Sequence, residues 1–373
     1  MEQFKKYKTM IFPREVIVGH NTTEHIKGMC RRITSSKKAL IVVDKTTKKI
    51  SGDKIAKILS GAGYEINIVV LPSPIIQKDV HIAWPTVKEV NSVVKAVEKY
   101  ESEFLIGVGG GSVIDVTKLS AYELSQLFVS VPTSAAHDGM ASPRAALKDK
   151  TGSVSKTAVS PMAILADTTI ISKAPYRMLA SGCADVISNL SAVKDWVLAH
   201  RLKNEEFSTF AASLSETSSK LLLYKAEDIR SGFEEAVWQA VKCMITSGVA
   251  MSVAGNTRPA SGSEHMFSHM LDHLGPGIML KGKRGKKPLH GEQCGIGAIM
   301  MVYLHGGDWE EIRDSLKTIG APTTSEELGV SKKKIIEALD RSQEIRPERY
   351  TILGETGLTH DAAKRVAKKT GVI

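Results

Sequence analysis

Apolar residues in the first half of this chain fall in short, nearly continuous runs separated by longer stretches of helical spacing. Lys38–Asp44 (KALIVVD), Tyr64–Leu71, Phe104–Val108 (FLIGV) and Leu127–Pro132 (LFVSVP) read as strands. In Lys38–Asp44 the apolar residues occupy consecutive positions, as a strand buried on both faces requires. Glu15–Gly19 supplies a first short strand, and Lys156–Asp167 is strand-rich. Between them Thr22–Ile33, Gly52–Ala62 and Thr86–Tyr100 read as helices. Strands alternating with helices predict a parallel sheet covered on both faces. From Tyr176 onward the spacing is almost wholly helical: Tyr176–Leu202, Glu205–Leu223, Phe233–Ala254, Ser263–Leu274, Gly291–His305, Asp308–Ile319, Ser331–Ser342 and Asp361–Lys369. The expected architecture is an α/β domain over residues 1–172 and an all-α domain over 173–373, with a ligand cleft between them.

The stretch that organises this pattern is FLIGVGGGSVIDVTKL, Phe104–Leu119. A buried strand runs into Gly109, Gly110 and Gly111, and Ser112, Val113, Ile114 and Asp115 open a helix. Glycine tolerates positive φ and lets a ligand approach the backbone. A helix N-terminus behind such a turn presents free N–H groups to a phosphate. The stretch therefore predicts a Rossmann-like diphosphate cradle, although its spacing is neither G-x-G-x-x-G nor the triphosphatase loop. Asp44, ending the second strand, suits a ribose 2′-hydroxyl and hence NAD. Lys45–Lys49 beside it suit a 2′-phosphate and hence NADP, so both remain open.

Two further groups carry chemistry. After the Leu127–Pro132 strand come Thr133, Ser134, Ala135, Ala136 and, further on, Ser142, small and hydroxylated residues suited to a close-packed cofactor site, with Asp138 among them. Asp138 could orient a substrate hydroxyl or serve as a turn residue before Gly139. In the helical half, Asp185 sits among Leu179, Val186 and Ile187, where a carboxylate must be paired, metal-bound or poorly buried. His265, His269 and His273 recur at four-residue steps, and His290 opens a later helix. Local spacing pairs His265 with His269 on one helix face, and nitrogen and oxygen donors suit zinc or iron(II).

Composition narrows the picture. The chain has 373 residues and a net charge of +10, but only Lys281–Lys287 (KGKRGKK) is a dense basic run, without interleaved aromatics, so no nucleic-acid partner is expected. No apolar stretch of about twenty residues is read as a membrane span. The opening residues lack a leader pattern and the four cysteines form no C-x-x-C pair, which points to reduced thiols and a cytoplasmic protein.

Taken together, GGGSVIDVTK, PTSAAHDGMASP, GCADVISN, SGSEHMFSH and LHGEQCGIG, in that order, resemble the iron-dependent alcohol dehydrogenase and dehydroquinate synthase superfamily. The chain is most similar to its archaeal sn-glycerol-1-phosphate dehydrogenase branch, from Phe12 to about Pro322. The resemblance implies a dehydroquinate synthase-like fold. It also implies reduction of dihydroxyacetone phosphate by NADH or NADPH to sn-glycerol 1-phosphate, for ether-lipid (phospholipid) synthesis. It assigns Gly111–Asp115 to the cofactor diphosphate, and Thr133–Ala136 and Ser142 to the nicotinamide end. Asp185, His265 and His290 become ligands of one Zn2+ per subunit, with Fe2+ as the alternative. His269 is moved from ligand to substrate contact, beside Asp138, and a homo-oligomer is expected. The alternatives are a glycerol dehydrogenase acting on an unphosphorylated polyol and a non-catalytic metal- or nucleotide-binding protein. The GIMLKGKRGKKPL insertion before His290 is longer and more basic than the family's usual connection; it is expected to form a surface loop, with contact to the substrate phosphate as the alternative.

Overall fold

The computed structural model describes residues 9–73, 75–77, 80–81, 85–149, 152–275 and 287–373. All but Lys287 of the basic run lies outside the described residues. The strands in chain order are β1 (Glu15–Gly19), β2 (Lys38–Asp44), β3 (Glu65–Leu71), β4 (Ile75–Gln77), β5 (Val80–His81), β6 (Phe104–Gly109), β7 (Leu127–Pro132), β8 (Arg144–Asp149), β9 (Gly152–Thr157) and β10 (Ala163–Asp167).

Six of them form one parallel sheet in the order β1-β10-β7-β6-β2-β3. Alternate residues divide between its two faces. Ile41, Val43, Ile106, Val108 and Val129 pack on Ile26, Met29, Ile55 and Leu59 of helices Ile26–Ile33 and Asp53–Gly61. Leu40, Val42, Leu105 and Phe128 pack on Val90, Val93 and Val97 of helix Val87–Tyr100, and on Val113, Val116 and Leu119 of helix Gly111–Glu123. Burial on both faces explains the unbroken apolar runs. The chain leaves β2 toward β3 on one side and returns with β6 on the other. The carboxyl ends of β2 and β6, Asp44 and Gly109, therefore flank a topological switch point, where doubly wound sheets hold ligands.

An antiparallel hairpin, β8 with β9, stands outside this sheet. Its first strand was not expected from the sequence, because Arg144–Asp149 mixes small and charged residues without the apolar run of a buried strand.

Beyond Pro175 the chain is helical, as expected. Helix Tyr176–Lys203 is 28 residues long and buried along most of its length, packing on helices His290–Leu304, Thr209–Tyr224 and Glu234–Ala254. The expected helix at Glu205 begins instead at Thr209. Asn204 ends the long helix in the left-handed region (φ 53°), and Ser208 caps the next by accepting from the Ala211 N–H. Helix Glu234–Ala254 is long and apolar enough to cross a membrane by length and composition. It was not expected to be, and most of it is buried inside the protein, as in a core helix.

Candidate active site

Three helices bring Asp185, His265 and His290 together. Asp185 lies in the buried middle of helix Tyr176–Lys203, His265 in the first turn of helix Ser263–His273, and His290 at the start of helix His290–Leu304. Gly291 permits the last approach, because a Cβ there would run into the carbonyl of Ser181. Asp185 Oδ2 accepts the Asp138 N–H at 3.2 Å. Oδ1 is buried with no hydrogen-bond partner and lies 3.9 Å from His265 Nε2 and 3.7 Å from His290 Nε2.

The surrounding hydrogen bonds orient both imidazoles. His265 Nδ1 is 2.8 Å from Glu264 Oε1, and that fully buried carboxylate also accepts from the Gly262 N–H and the Ser191 hydroxyl. Ser268 donates its hydroxyl to Gln293 Oε1 at 2.7 Å, so its oxygen is left to accept from His290 Nδ1 at 3.1 Å. Both Nδ1 atoms are thus donors, and both Nε2 lone pairs face Asp185 Oδ1. Burial holds His265 well below the ordinary histidine range and lowers His290, while it pushes Asp185 up to about 7.

Three acceptors converge here with only the weak Cys294 thiol as a donor beside Asp185, an arrangement that a bound cation would relieve. Two neutral imidazoles and a carboxylate suit Zn2+ or Fe2+. Cys294 also falls within 4.8 Å of this group. Its sulfur, however, is 3.6 Å from His290 Nε2 and 3.9 Å from Nδ1, which places it beside the ring rather than along the Nε2 lone pair. The geometry therefore favours the triad. His269, the local alternative, has its ring 6.4 Å from that of His265 and 5.9 Å from that of His290.

A cavity of about 690 Å³ joins this corner to the switch point. Gly110, Gly111, Ser112, Val113 and Asp115 line it from the glycine turn, Thr133, Ser134, Ala136 and Ser142 from beyond β7, and Asp44 from the end of β2. Gly109, Ile114 and Ala135 do not face it. Gly109 packs on Val113, Ile114 is in the core under the sheet, and the Ala135 carbonyl abuts Gly182.

None of the three glycines has positive φ, so close approach rather than backbone freedom explains them. A Cβ on Gly111 would run into the His137 imidazole, whose Nδ1 accepts the Gly139 N–H at 2.8 Å. Gly110 caps helix Gly111–Glu123 without any side-chain hydrogen bond, leaving first-turn amides for an acceptor. Asp44 accepts the Thr47 N–H in a reciprocal capping box at the cavity edge. Asp115 lines the cavity with its carboxylate committed: Oδ1 is 3.2 Å from the buried Lys118 ammonium and Oδ2 accepts the Ala146 N–H.

Asp138 Oδ2 accepts the Ser247 hydroxyl at 2.7 Å, and Asn189 donates to Ser247 in turn. Burial, reinforced by Asp185, pushes Asp138 up to about 7. His137, Glu264, Arg144 and Arg346 also stand at or behind this site and were not singled out from the sequence. For Glu264 the available signal was its position next to His265. Arg346 had none, since it enters from a distant loop.

Residues 17–175 match the family model described as iron-containing alcohol dehydrogenase. The fold agrees: glycerol dehydrogenase from Schizosaccharomyces pombe superposes with a TM-score of 0.78 at 19% identity, covering 99% of this chain and 92% of that one. Closer in sequence are the glycerol-1-phosphate dehydrogenases (NAD(P)+) of Methanococcoides burtonii, 47% identical over 98% of this chain and 97% of that one, and Thermococcus kodakarensis, 46% identical over 99% of both. The chain belongs to the glycerol-1-phosphate dehydrogenases within the iron-containing alcohol dehydrogenase family.

Proposed function

We propose that this protein uses NADH or NADPH and one bound Zn2+ or Fe2+ to reduce dihydroxyacetone phosphate to sn-glycerol 1-phosphate, the backbone of archaeal ether phospholipids. The observation that carries the proposal is the partnerless Asp185 Oδ1 between two imidazole lone pairs, in a cavity that also receives the uncapped glycine helix.

Asp185, His265 and His290 would hold the metal ion, and Gly110–Ser112 the cofactor diphosphate. When bound, the cofactor supplies hydride and the metal positive charge at the ketone oxygen. Thr133, Ser134, Ala136 and Ser142 form the wall expected at the nicotinamide end. Glu264 and Ser268 fix the two ring tautomers, which keeps both Nε2 atoms available. Asp138, anchored by Ser247, would orient the substrate and relay a proton to the product alkoxide. His269 Nδ1, buried without a partner, would accept or donate a hydrogen bond to the substrate.

The test is cofactor oxidation with dihydroxyacetone phosphate and dihydroxyacetone in parallel, with NADH and NADPH, in zinc- or iron-loaded protein. Preferred turnover of the phosphorylated ketone to the sn-1 isomer is expected. Turnover of the unphosphorylated ketone alone would assign the chain to polyol oxidation instead.

A further inference from the structure

Next to His269 the cavity wall contains two guanidiniums, Arg144 and Arg346. Arg144 lies on the β8–β9 hairpin. Its Nε donates to Ser155 Oγ at 3.2 Å, Nη1 to Thr157 Oγ1 at 2.6 Å and Nη2 to the Ser155 carbonyl at 2.9 Å. These neutral acceptors fix the plane of the guanidinium but leave its charge uncompensated. Arg346 makes one side-chain bond, from Nη1 to Ser261 Oγ at 3.1 Å.

Among the described residues neither arginine has a carboxylate within ion-pair distance. Two other partly or fully buried arginines of the helical half are matched, Arg177 by Glu292 and Arg258 by Glu205. Burying a cation without a counter-ion is costly. Here two are brought to one wall, and Arg349, bonded only to neutral groups at Ser261 and Thr257, stands behind Arg346. Burial and the Arg144 charge both lower Arg346, as expected of like charges facing one space. His269 Nδ1 adds an independent sign of a ligand, being a buried polar atom without a partner in the same cavity.

We propose that Arg144 and Arg346 form the subsite for the substrate's phosphate monoester, with His269 between that subsite and the metal corner. A phosphate presents paired oxygens that match the planar guanidinium fork. The pair would thus select a phosphorylated three-carbon ketone whose carbonyl reaches Asp185, His265 and His290. This deepens the functional reading and rests on it for the identity of the ester, but not for the binding of phosphate itself. Lys148, on the same hairpin and also facing the cavity, is the rival cation.

The experiment measures calorimetric binding of inorganic phosphate to metal-loaded wild type, Arg144→Gln, Arg346→Gln and Lys148→Met. It also measures the ratio of kcat/KM for dihydroxyacetone phosphate to that for dihydroxyacetone. Loss of charge-assisted bonds is expected to weaken phosphate at least about tenfold in each arginine variant and to lower the ratio by a similar factor. The effect in Lys148→Met should be smaller. An unchanged ratio in Arg346→Gln, with both ketones equally impaired, would overturn the proposal, as would loss of phosphate binding in Lys148→Met alone. Should Arg346→Gln fail to fold, Arg346→Lys keeps the charge without the fork, and undiminished phosphate binding there would count against the pair. A wild type that binds phosphate but reduces no phosphorylated ketone would refute the functional reading and leave the anion subsite standing. No phosphate binding by wild type would remove the subsite.

Discussion

The backbone N–H of Asp138 holds one oxygen of Asp185 at 3.2 Å and leaves the other, buried and unpartnered, facing two histidines. This couples the two halves of the cavity. Asp138 follows the strand-end segment that lines one side of the cavity, whereas Asp185 belongs to the helix that supplies the candidate metal corner. A shift of the Thr133–Ser142 segment would therefore re-aim Asp185 as well.

Asp185→Asn should abolish metal retention while leaving the fold intact. The amide keeps an oxygen for the Asp138 N–H but loses the anionic donor, and the metal-free site loses a buried carboxyl. Loss of affinity by more than about a hundredfold is expected, beyond the effect of removing an outer partner. Plasma mass spectrometry of dialysed protein and thermal melts with and without zinc would check this. A variant that retains one metal per chain would refute the assignment.

Glu264 acts one step further out. Glu264→Gln keeps the volume but weakens the acceptor for His265 Nδ1–H, so the tautomer that exposes Nε2 is less favoured. Metal affinity should fall about ten- to a hundredfold, with turnover recovering at higher metal concentration. Activity that is lost and does not respond to metal would point to a packing role instead.

The fold was legible because a sheet buried on both faces leaves continuous apolar runs, and β2, β6 and β7 carry them. The metal corner was only partly legible. Helical spacing favoured His269 beside His265, since both lie on one helix, while Asp185 and His290 arrive from helices far away in sequence. Family resemblance, rather than spacing, made His290 a ligand candidate, and the fold brings its Nε2 to 3.7 Å from Asp185 Oδ1. The triple glycine was read as a candidate cradle, but the need for glycine at Gly111 was not legible, because the crowding there depends on how His137 folds back across it. Arg346 could not be found from sequence at all: an arginine in a loop carries no signal until the fold brings it to the same cavity as Arg144.

Two glycines should separate cofactor binding from stability. The three atoms nearest a Cβ at Gly111 all belong to the His137 imidazole, a side chain that can turn about its own torsions if its bond to Gly139 is given up. Gly111→Ala should raise the Kd for NAD(P)H about tenfold, equivalent to one net hydrogen bond, with little change in Tm. Gly182→Ala would meet the Ala135 carbonyl, a backbone atom that cannot turn aside, and overpacking of this kind costs about 1–3 kcal/mol. Cofactor fluorescence titration and urea melts distinguish the two. Equal stability losses would mean that His137 is as rigid as backbone.

Lys148 gives the pH dependence. Burial, with the neighbouring Lys287 charge, lowers its ammonium to about 8 from an ordinary 10.5. The unfolded chain therefore keeps a proton between those values that the folded chain has lost. Stability attributable to this residue rises with pH from about 8 to 10.5 and is lowest at neutral pH, where the folded protein still carries the charge. Lys148→Met removes the penalty, so it should stabilise the protein on the order of 1 kcal/mol at pH 7, after discounting for partial exposure. The gain should shrink toward zero by about pH 10. Urea unfolding of both proteins across this range would show it, and a pH-independent difference would mean that packing of the Met side chain, not charge, accounts for the change.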